Sequence, residues 1–350
     1  MAKTHLIPPT GKFYKAAMHA HTNLSDGKLT PQQLKDLYRS LGYSVVAFTD
    51  HVRFLRHNDL TDAEFLAINA YEFAVAHEMV EDNARDDCYH LNFYAKTPDI
   101  DKQVMFDERE IDWWGLTAEQ VAECQFADEW VRAEYSPEYI NKVIKKAGEH
   151  GFLVCYNHPV WSKQKEPDFV TLEGLLAFEI YNHDAQIMEG NGFAPHMYTS
   201  MLEAGKMVGC FAADDCHCGK SNDPSSPYCD AGGGYVMIKA EELNYSAIMG
   251  ALERKEYYAS TGVEIKELYV EDGKVHIHTS PCTQITFITD TRRRESVRVN
   301  DNGLTEAVFS LELIEDKWPY NLDYKGFWIM CEDNSGKFAA TCAVPVEGLR

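Results

Sequence analysis

Seven short, almost continuously apolar runs punctuate the first 215 residues, and each closes on or carries a polar, metal-capable side chain. They span residues 14–21, 44–50, 65–72, 89–95, 152–158, 175–182 and 207–215. The first ends in His19 and His21; the second ends in Asp50, with His51 next. The third ends in Glu72, the fourth carries His90 and the fifth ends in His158. The sixth carries Glu179 and is followed by His183; the seventh ends in Asp215, with His217 two residues on. Runs of this length and composition suit strands buried on both faces, as in parallel sheets. Helix signals lie between several of them. Thr30 caps a helix with Pro31 at its first position and Gln33 closing a capping box, and Gly42 stops it. Ser136-Pro137 opens another, which Gly151 ends. Alternating strands and helices predict a parallel α/β sheet or barrel. Polar residues gathered at the C-terminal strand ends favour a barrel, whose chemistry sits on that face.

Two stretches break the rhythm. Residues 97–130 are acidic and carry paired Trp113 and Trp114. They read as an inserted helical excursion, a wall or lid over the site, with the tryptophans burying a cap helix. After Gly262 the runs become short and β-like, at 264–269, 274–279, 284–289, 307–313 and 326–331. Turn signals at Asp272-Gly273 and Asn302-Gly303 separate them, which predicts a small antiparallel β domain over 263–350. The barrel then occupies 11–262.

Composition narrows the function classes. In 350 residues, 45% are apolar, 25% charged and 12% aromatic, the profile of a globular protein and not a disordered one. Thirty-three Lys and Arg stand against 55 Asp and Glu, a net charge of −22. Such a surface repels nucleic acid and anionic membranes, so neither is an expected partner. A small anion remains admissible if bound cations reverse the local field. No run resembles a signal peptide or approaches the ~18 apolar residues of a membrane span, and a cytoplasmic location is expected. Ten cysteines are too sparse for a disulfide framework and are expected as free thiols.

The chemistry concentrates in His19-Ala20-His21-Thr22, Ser25-Asp26-Gly27 and Thr49-Asp50-His51. Residues i and i+2 of a strand share a face, so His19 and His21 can chelate one ion. H-x-H alone is weak. His276-Ile277-His278 repeats it in the β region with no carboxylate motif following, and reads as one exposed strand face.

Together with Glu72, His90, Asn157-His158-Pro159 and Asp215-Cys216-His217, the N-terminal motifs resemble the PHP (polymerase and histidinol phosphatase) family of metal-dependent phosphoesterases. The resemblance covers roughly residues 11–262. It implies a distorted TIM-like barrel of about seven β/α units with a trinuclear metal site at its rim. It also implies ligand sets. His19, His21, Glu72 and Asp215 would hold a first ion. Glu72 would bridge to a second, completed by His90 and His158. His51, His217 and Asp26 would hold a third. Glu72, Asp215 and His217 would bear most directly on catalysis. Imidazole and carboxylate suit Zn²⁺, Mn²⁺ or Fe²⁺, so two to three such divalent ions are the expected cofactors. Two ions ~3.5–4 Å apart can share a hydroxide and aim it at phosphorus.

Some positions leave a choice. Asp214 and Asp215 both precede His217, and the D-x-H spacing favours Asp215. His77 and His90 both follow Glu72, and the apolar strand after His90 favours it. Asp50 is expected to orient a histidine and not to ligate directly. Arg53, His183 and Lys220 are candidates for contact with substrate, and Arg53 and Lys220 could meet its phosphate. Cys216, Cys218 and Cys229 offer poor zinc spacing with His217 and are expected as packing residues.

The function expected is hydrolysis of a small phosphomonoester, or a small phosphodiester, by a metal-bridging hydroxide. Two alternatives stand beside it: metal-assisted C–N or ester hydrolysis on the same site, and a non-catalytic binding protein working through the β domain.

Overall fold

The computed structural model describes residues 3–81, 85–312 and 323–350. Residue 313, the last of the expected run 307–313, lies outside the described residues.

The chain opens with β1 (Lys12–Ala17), α1 (Pro31–Ser40), β2 (Val45–Phe48), β3 (Leu66–Ala76) and β4 (Cys88–Ala95). Two short helices follow, α2 (Arg109–Trp113) and α3 (Ala118–Glu123), then α4 (Pro137–Glu149) and β5 (Phe152–Tyr156). Next come β6 (Ala177–Asn182), α5 (His183–Glu189), α6 (Pro195–Glu203) and β7 (Gly209–Ala213). β8 (Tyr235–Ala240), α7 (Tyr245–Glu253) and β9 (Tyr257–Ser260) complete this part.

The helix signals act as written. Thr30 accepts from Gln33 N while the Gln33 side chain returns to Thr30 N, so both arms of the capping box form. Gly42 and Gly151 follow their helices at φ 79° and 83°, the left-handed conformation that glycine adopts without steric cost. α4 buries Tyr139, Ile140, Val143, Ile144 and Ala147, one helical stripe. Each large apolar side chain buried there contributes about 1.5–3 kcal/mol.

One expectation needs correction. β1, β2 and β3 pair in parallel, as do β5, β6 and β7. β4 runs antiparallel to both β3 and β5, with Glu72 opposite Asn92 and Leu91 opposite Tyr156. The link across residues 77–87 is shorter than the dozen or more residues a parallel crossover needs. A continuous apolar run carries no sign of strand direction, so the sequence pattern misses this reversal. β8 also pairs antiparallel to β1, and β9 to β8.

The C-terminal strands are β10 (Ile265–Glu271), β11 (Lys274–Cys282), β12 (Gln284–Thr289), β13 (Arg294–Arg298), β14 (Leu304–Ser310), β15 (Gly326–Glu332) and β16 (Phe338–Thr341). β10, β11 and β14 form a separate antiparallel sheet with residues 4–5. The other four continue the large sheet, because β16 pairs with β9 through Ala259 and Ala340. Trp328 of β15 is fully buried against Tyr198 of α6, with ring centroids 5.2 Å apart. His276 and His278 share one face of β11, where the His276 ring stacks on Tyr269 at 4.8 Å. The fold is therefore mixed α/β, with one large sheet and one separate antiparallel sheet. Among the described residues no helix is long and apolar enough to cross a membrane.

Candidate metal centre

Beyond β1 the chain stays extended through Ala20, held by Thr49 N donating to Ala20 O (2.9 Å) and His21 N donating to Cys216 O (2.8 Å). Ala20 turns into the core, so both flanking imidazoles face the opposite way. Their Nε2 atoms converge on one oxygen, Asp215 Oδ1, at 3.1 Å from His19 and 3.0 Å from His21. Glu72, in the middle of β3 and fully buried, stands across from it. Glu72 Oε1 lies 3.3 Å from His19 Nε2, 3.1 Å from His90 Nδ1 and 3.2 Å from His158 Nε2. Its Oε2 lies 3.0 Å from His51 Nδ1 and 3.5 Å from His21 Nε2. Asp26 faces His217 Nε2 at 3.4 Å, His51 Nε2 at 3.6 Å and His21 Nδ1 at 3.7 Å.

All nine sequence-chosen residues thus meet in one place, in overlapping groups of three or four donors. His51 stands with Asp26 and His217 through its Nε2, while its Nδ1 also faces Glu72. Six buried atoms in the cluster have no hydrogen-bond partner among the described residues: His19 Nε2, both nitrogens of His21, His51 Nδ1, Glu72 Oε2 and Asp215 Oδ1. A buried polar atom without a partner costs about 1–3 kcal/mol. Six of them pointing inward from five residues fit cations, and the imidazole–carboxylate donor set suits divalent metals.

Outer partners fix these side chains. Glu179 Oε1 lies 2.7 Å from His19 Nδ1 and orients that ring. Glu179 Oε2 accepts from His158 N (2.9 Å) and Asn182 Nδ2 (3.2 Å). Asn157 Nδ2 donates to Glu72 Oε1 at 2.7 Å. Asp50 takes Thr22 N and the Thr22 and Ser25 hydroxyls, so it shapes the turn that presents Asp26. Gly27 is needed in that turn, since a Cβ there would lie 2.5 Å from His21 O. Asp215 sits at φ 56° and His158 at φ 21°, sparsely populated for side-chain-bearing residues and found where function holds the backbone.

The electrostatics follow from burial and crowding. Burial opposes ionisation of Glu72 and Asp215, yet the imidazoles around them, His19 foremost, hold both carboxyls well below the usual range. Burial, then the like charges of His217 and His51, press His21 down to about 4. Burial also lowers His217, but Asp26 and Asp215 outweigh it and raise the group to about 10. Such strongly perturbed groups gather at functional sites.

The centre floors a cleft of about 520 Å³. Trp114 and Trp161 stand in its wall, and Lys220 and Asp184 line it. Trp114 comes from the middle of the inserted segment, directly after α2, and stacks on His51 at 4.1 Å, while Trp113 is 46% exposed. The paired tryptophans therefore do not both bury a cap helix.

Two expected substrate contacts lie elsewhere. Arg53 is 1% exposed, and its guanidinium is taken by Leu24 O and the Glu123 carboxylate. It ties the insertion to the Asp26 turn and cannot reach the cleft. His183 turns away too, its Nδ1 2.9 Å from Tyr181 Oη and its ring against Gly233, where a Cβ would lie 2.2 Å from it. Burial, then Lys337, lowers His183 to about 4.

Of the two open choices, Asp215 and His90 stand in the cluster and their alternatives do not. Asp214 faces the other way, accepting from Tyr38 Oη and from the N–H groups of Gly232, Gly233 and Gly234. His77 stacks on Tyr135 outside the cluster. The sequence reading passed over Asp184 and Trp161. Asp184 is raised to about 6 by burial first, then by Asp215 and Asp230. Its one sequence signal is its place directly after a strand that ends in polar residues.

No family model matches the chain, and no curated protein matches it. Among solved structures it is similar to a two-domain protein from Bacteroides vulgatus ATCC 8482, described as containing a predicted PHP-like metal-dependent phosphoesterase. That likeness has 13% identity and a TM-score of 0.42, and covers 97% of this chain and 98% of that one. It is also similar to an inferred metal-dependent phosphoesterase from Bifidobacterium adolescentis ATCC 15703. There the identity is 14% and the TM-score 0.36, over 60% of this chain and 90% of the other. At TM-scores under 0.5 these likenesses are of outline only.

Proposed function

We propose that this protein is a metal-dependent phosphoesterase that hydrolyses a small phosphomonoester or phosphodiester. The observation that carries the reading is the sharing of Glu72 and Asp215, two carboxylates, among crowded imidazoles, of which His19, His21 and His51 turn unpartnered nitrogens inward. His19, His21, Glu72 and Asp215 hold one ion. Glu72 also serves a second, with His90 and His158. Asp26, His51 and His217 hold a third. When bound, zinc, manganese or iron ions would supply positive charge for phosphoryl oxygens and a water activated for attack.

The chain's own residues do the rest. Glu179 keeps the His19 ring aimed. Lys220 offers a cation at the cleft wall for the anionic substrate. Asp184, whose carboxyl is raised to about 6 by burial and then by Asp215 and Asp230, supplies a proton to the departing alcohol oxygen. Trp114 and Trp161 exclude water from the reacting side. The bound cations also reconcile a net charge of −22 with an anionic substrate.

The finer architecture belongs to the same reading. The strands from β1 to β9 form a distorted barrel over 11–262, with β7 returning beside β8 and β9, and 263–350 is an appended β domain. The work is cytoplasmic and on a small phosphorylated metabolite. The test is phosphate release from a panel of phosphorylated metabolites by protein reconstituted with Mn²⁺, Zn²⁺ or Fe²⁺. Release that depends on metal and is lost in Glu72→Gln is expected; no release with any metal would overturn the reading.

A further inference from the structure

Cys216 and Cys218 flank His217 and point away from the imidazole cluster, into the packing behind it. Their sulfurs lie 3.5 Å apart, and Cys216 Sγ lies 3.3 Å from Asp230 Oδ1. Cys216 is 0%, Cys218 5% and Asp230 1% exposed. Asp230 is held in place by backbone donors: His217 N reaches its Oδ2 and Cys218 N its Oδ1, both at 3.0 Å. Cys218 takes φ 52°, a conformation a non-glycine residue rarely keeps without a reason.

A buried carboxylate between two thiols is not apolar packing. Its spacing fits a metal shell. In a tetrahedral site with bonds of about 2.3 Å to sulfur and 2.0–2.2 Å to oxygen, two sulfurs stand about 3.8 Å apart and a sulfur and an oxygen about 3.5 Å. The Cys216–Cys218 and Cys216–Asp230 separations need change by only a few tenths of an ångström, and all three donor atoms lie within 4.8 Å of one another. Asp230 lines the cleft, which gives an ion its way in.

We propose that Cys216, Cys218 and Asp230 form a second cation site, distinct from the imidazole–carboxylate centre, for a thiophilic divalent ion such as Zn²⁺. Each thiol gives up its proton to solvent as its sulfur binds. The ion clasps the two ends of residues 219–229, a mostly exposed polar segment whose Ser221 already bridges to Cys229. Closing such a loop offsets its entropy in the folded state. The same segment carries Lys220 into the cleft, so the ion steadies that cation and, through its two cysteines, the intervening His217.

Cobalt separates the two sites, because only thiolate ligands give a sulfur-to-cobalt charge-transfer band in the near ultraviolet. Full-length protein loaded with Co²⁺ should show this band, and Zn²⁺ should bleach it. Cys216→Ser with Cys218→Ser should abolish the band while visible absorption from imidazole-bound cobalt persists. Cys88→Ser, at the thiol beside His90, should leave the band in place. Asp230→Asn keeps both thiols and should weaken the cobalt responsible for the band at least tenfold. No band in the wild-type protein, a band that survives the double serine variant, or one that vanishes in Cys88→Ser would each overturn the site. Should the double variant not fold, an unchanged affinity in Asp230→Asn would overturn it equally. None of these outcomes bears on phosphoester hydrolysis.

Discussion

His51 and Glu72 are joined at two levels. Their strands bridge through the backbone, with Val52 N donating to Glu72 O at 2.8 Å and Glu72 N to Asp50 O at 3.2 Å. Their side chains then meet again, His51 Nδ1 lying 3.0 Å from Glu72 Oε2. The carboxylate is therefore fixed from both ends, with its other oxygen facing His19, His90 and His158.

Loss of Glu72 consequently disturbs more than one ion. Glu72→Ala should lower bound metal by more than one equivalent and phosphate release by more than the ~10–100-fold typical of an outer partner. His51→Ala should lose less metal, because His21, Asp26 and His217 remain around the third position. Elemental analysis beside initial rates checks this; equal, small effects would reject the shared-carboxylate assignment.

Glu179 acts through His19. Glu179→Gln leaves a single oxygen for three donors, the His19 ring, His158 N and Asn182 Nδ2. Metal affinity should fall by about 10–100-fold with the fold intact. Isothermal titration of metal into the chelated protein measures it, and circular dichroism reports the fold.

Asp184 should set the alkaline limb of activity. The acid works protonated, and bound cations lower a neighbouring carboxyl, so turnover should fall as pH rises through a value at or below about 6. Asp184→Asn should remove that limb and cost about 10²–10⁴-fold with alkyl phosphates. An aryl phosphate, whose leaving group needs no proton, should be spared. A pH profile of kcat for both substrate types distinguishes this role from a structural one.

His183 should matter for stability and not for substrate. Its pKa of about 4 in the fold lies below the ordinary 6.5. The unfolded chain takes up the proton first, so this contribution is complete above pH 6.5 and is lost as pH falls toward 4. Across that window the stability of wild type should drop relative to His183→Gln by roughly 1–3 kcal/mol, with KM unchanged. Urea unfolding at several pH values reads the difference.

The site was more legible in the sequence than the sheet around it. His19 and His21 could be placed on one face because strand geometry alternates every residue. Glu72, His90, His158 and Asp215 stood out because each interrupts an apolar run. Strand direction left no such mark: residues 89–95 read as parallel, and only the short 77–87 link betrays the reversal. Arg53 was misjudged for a related reason. Arg53 follows the Thr-Asp-His motif, but its partners Leu24 and Glu123 lie 29 and 70 residues away in sequence. Asp184 was overlooked because its character comes from burial beside Asp215 and Asp230, a tertiary property that no local pattern encodes.

The most direct test of the central claim is the metal content of gently purified protein, measured by elemental analysis before and after chelation and reconstitution. Two to three equivalents of zinc, manganese or iron in the imidazole–carboxylate centre are expected, counted in the Cys216→Ser/Cys218→Ser background so that no thiolate-bound ion adds to the sum. They should be lost with chelator and regained on incubation. Less than one equivalent, with none regained, would contradict the account.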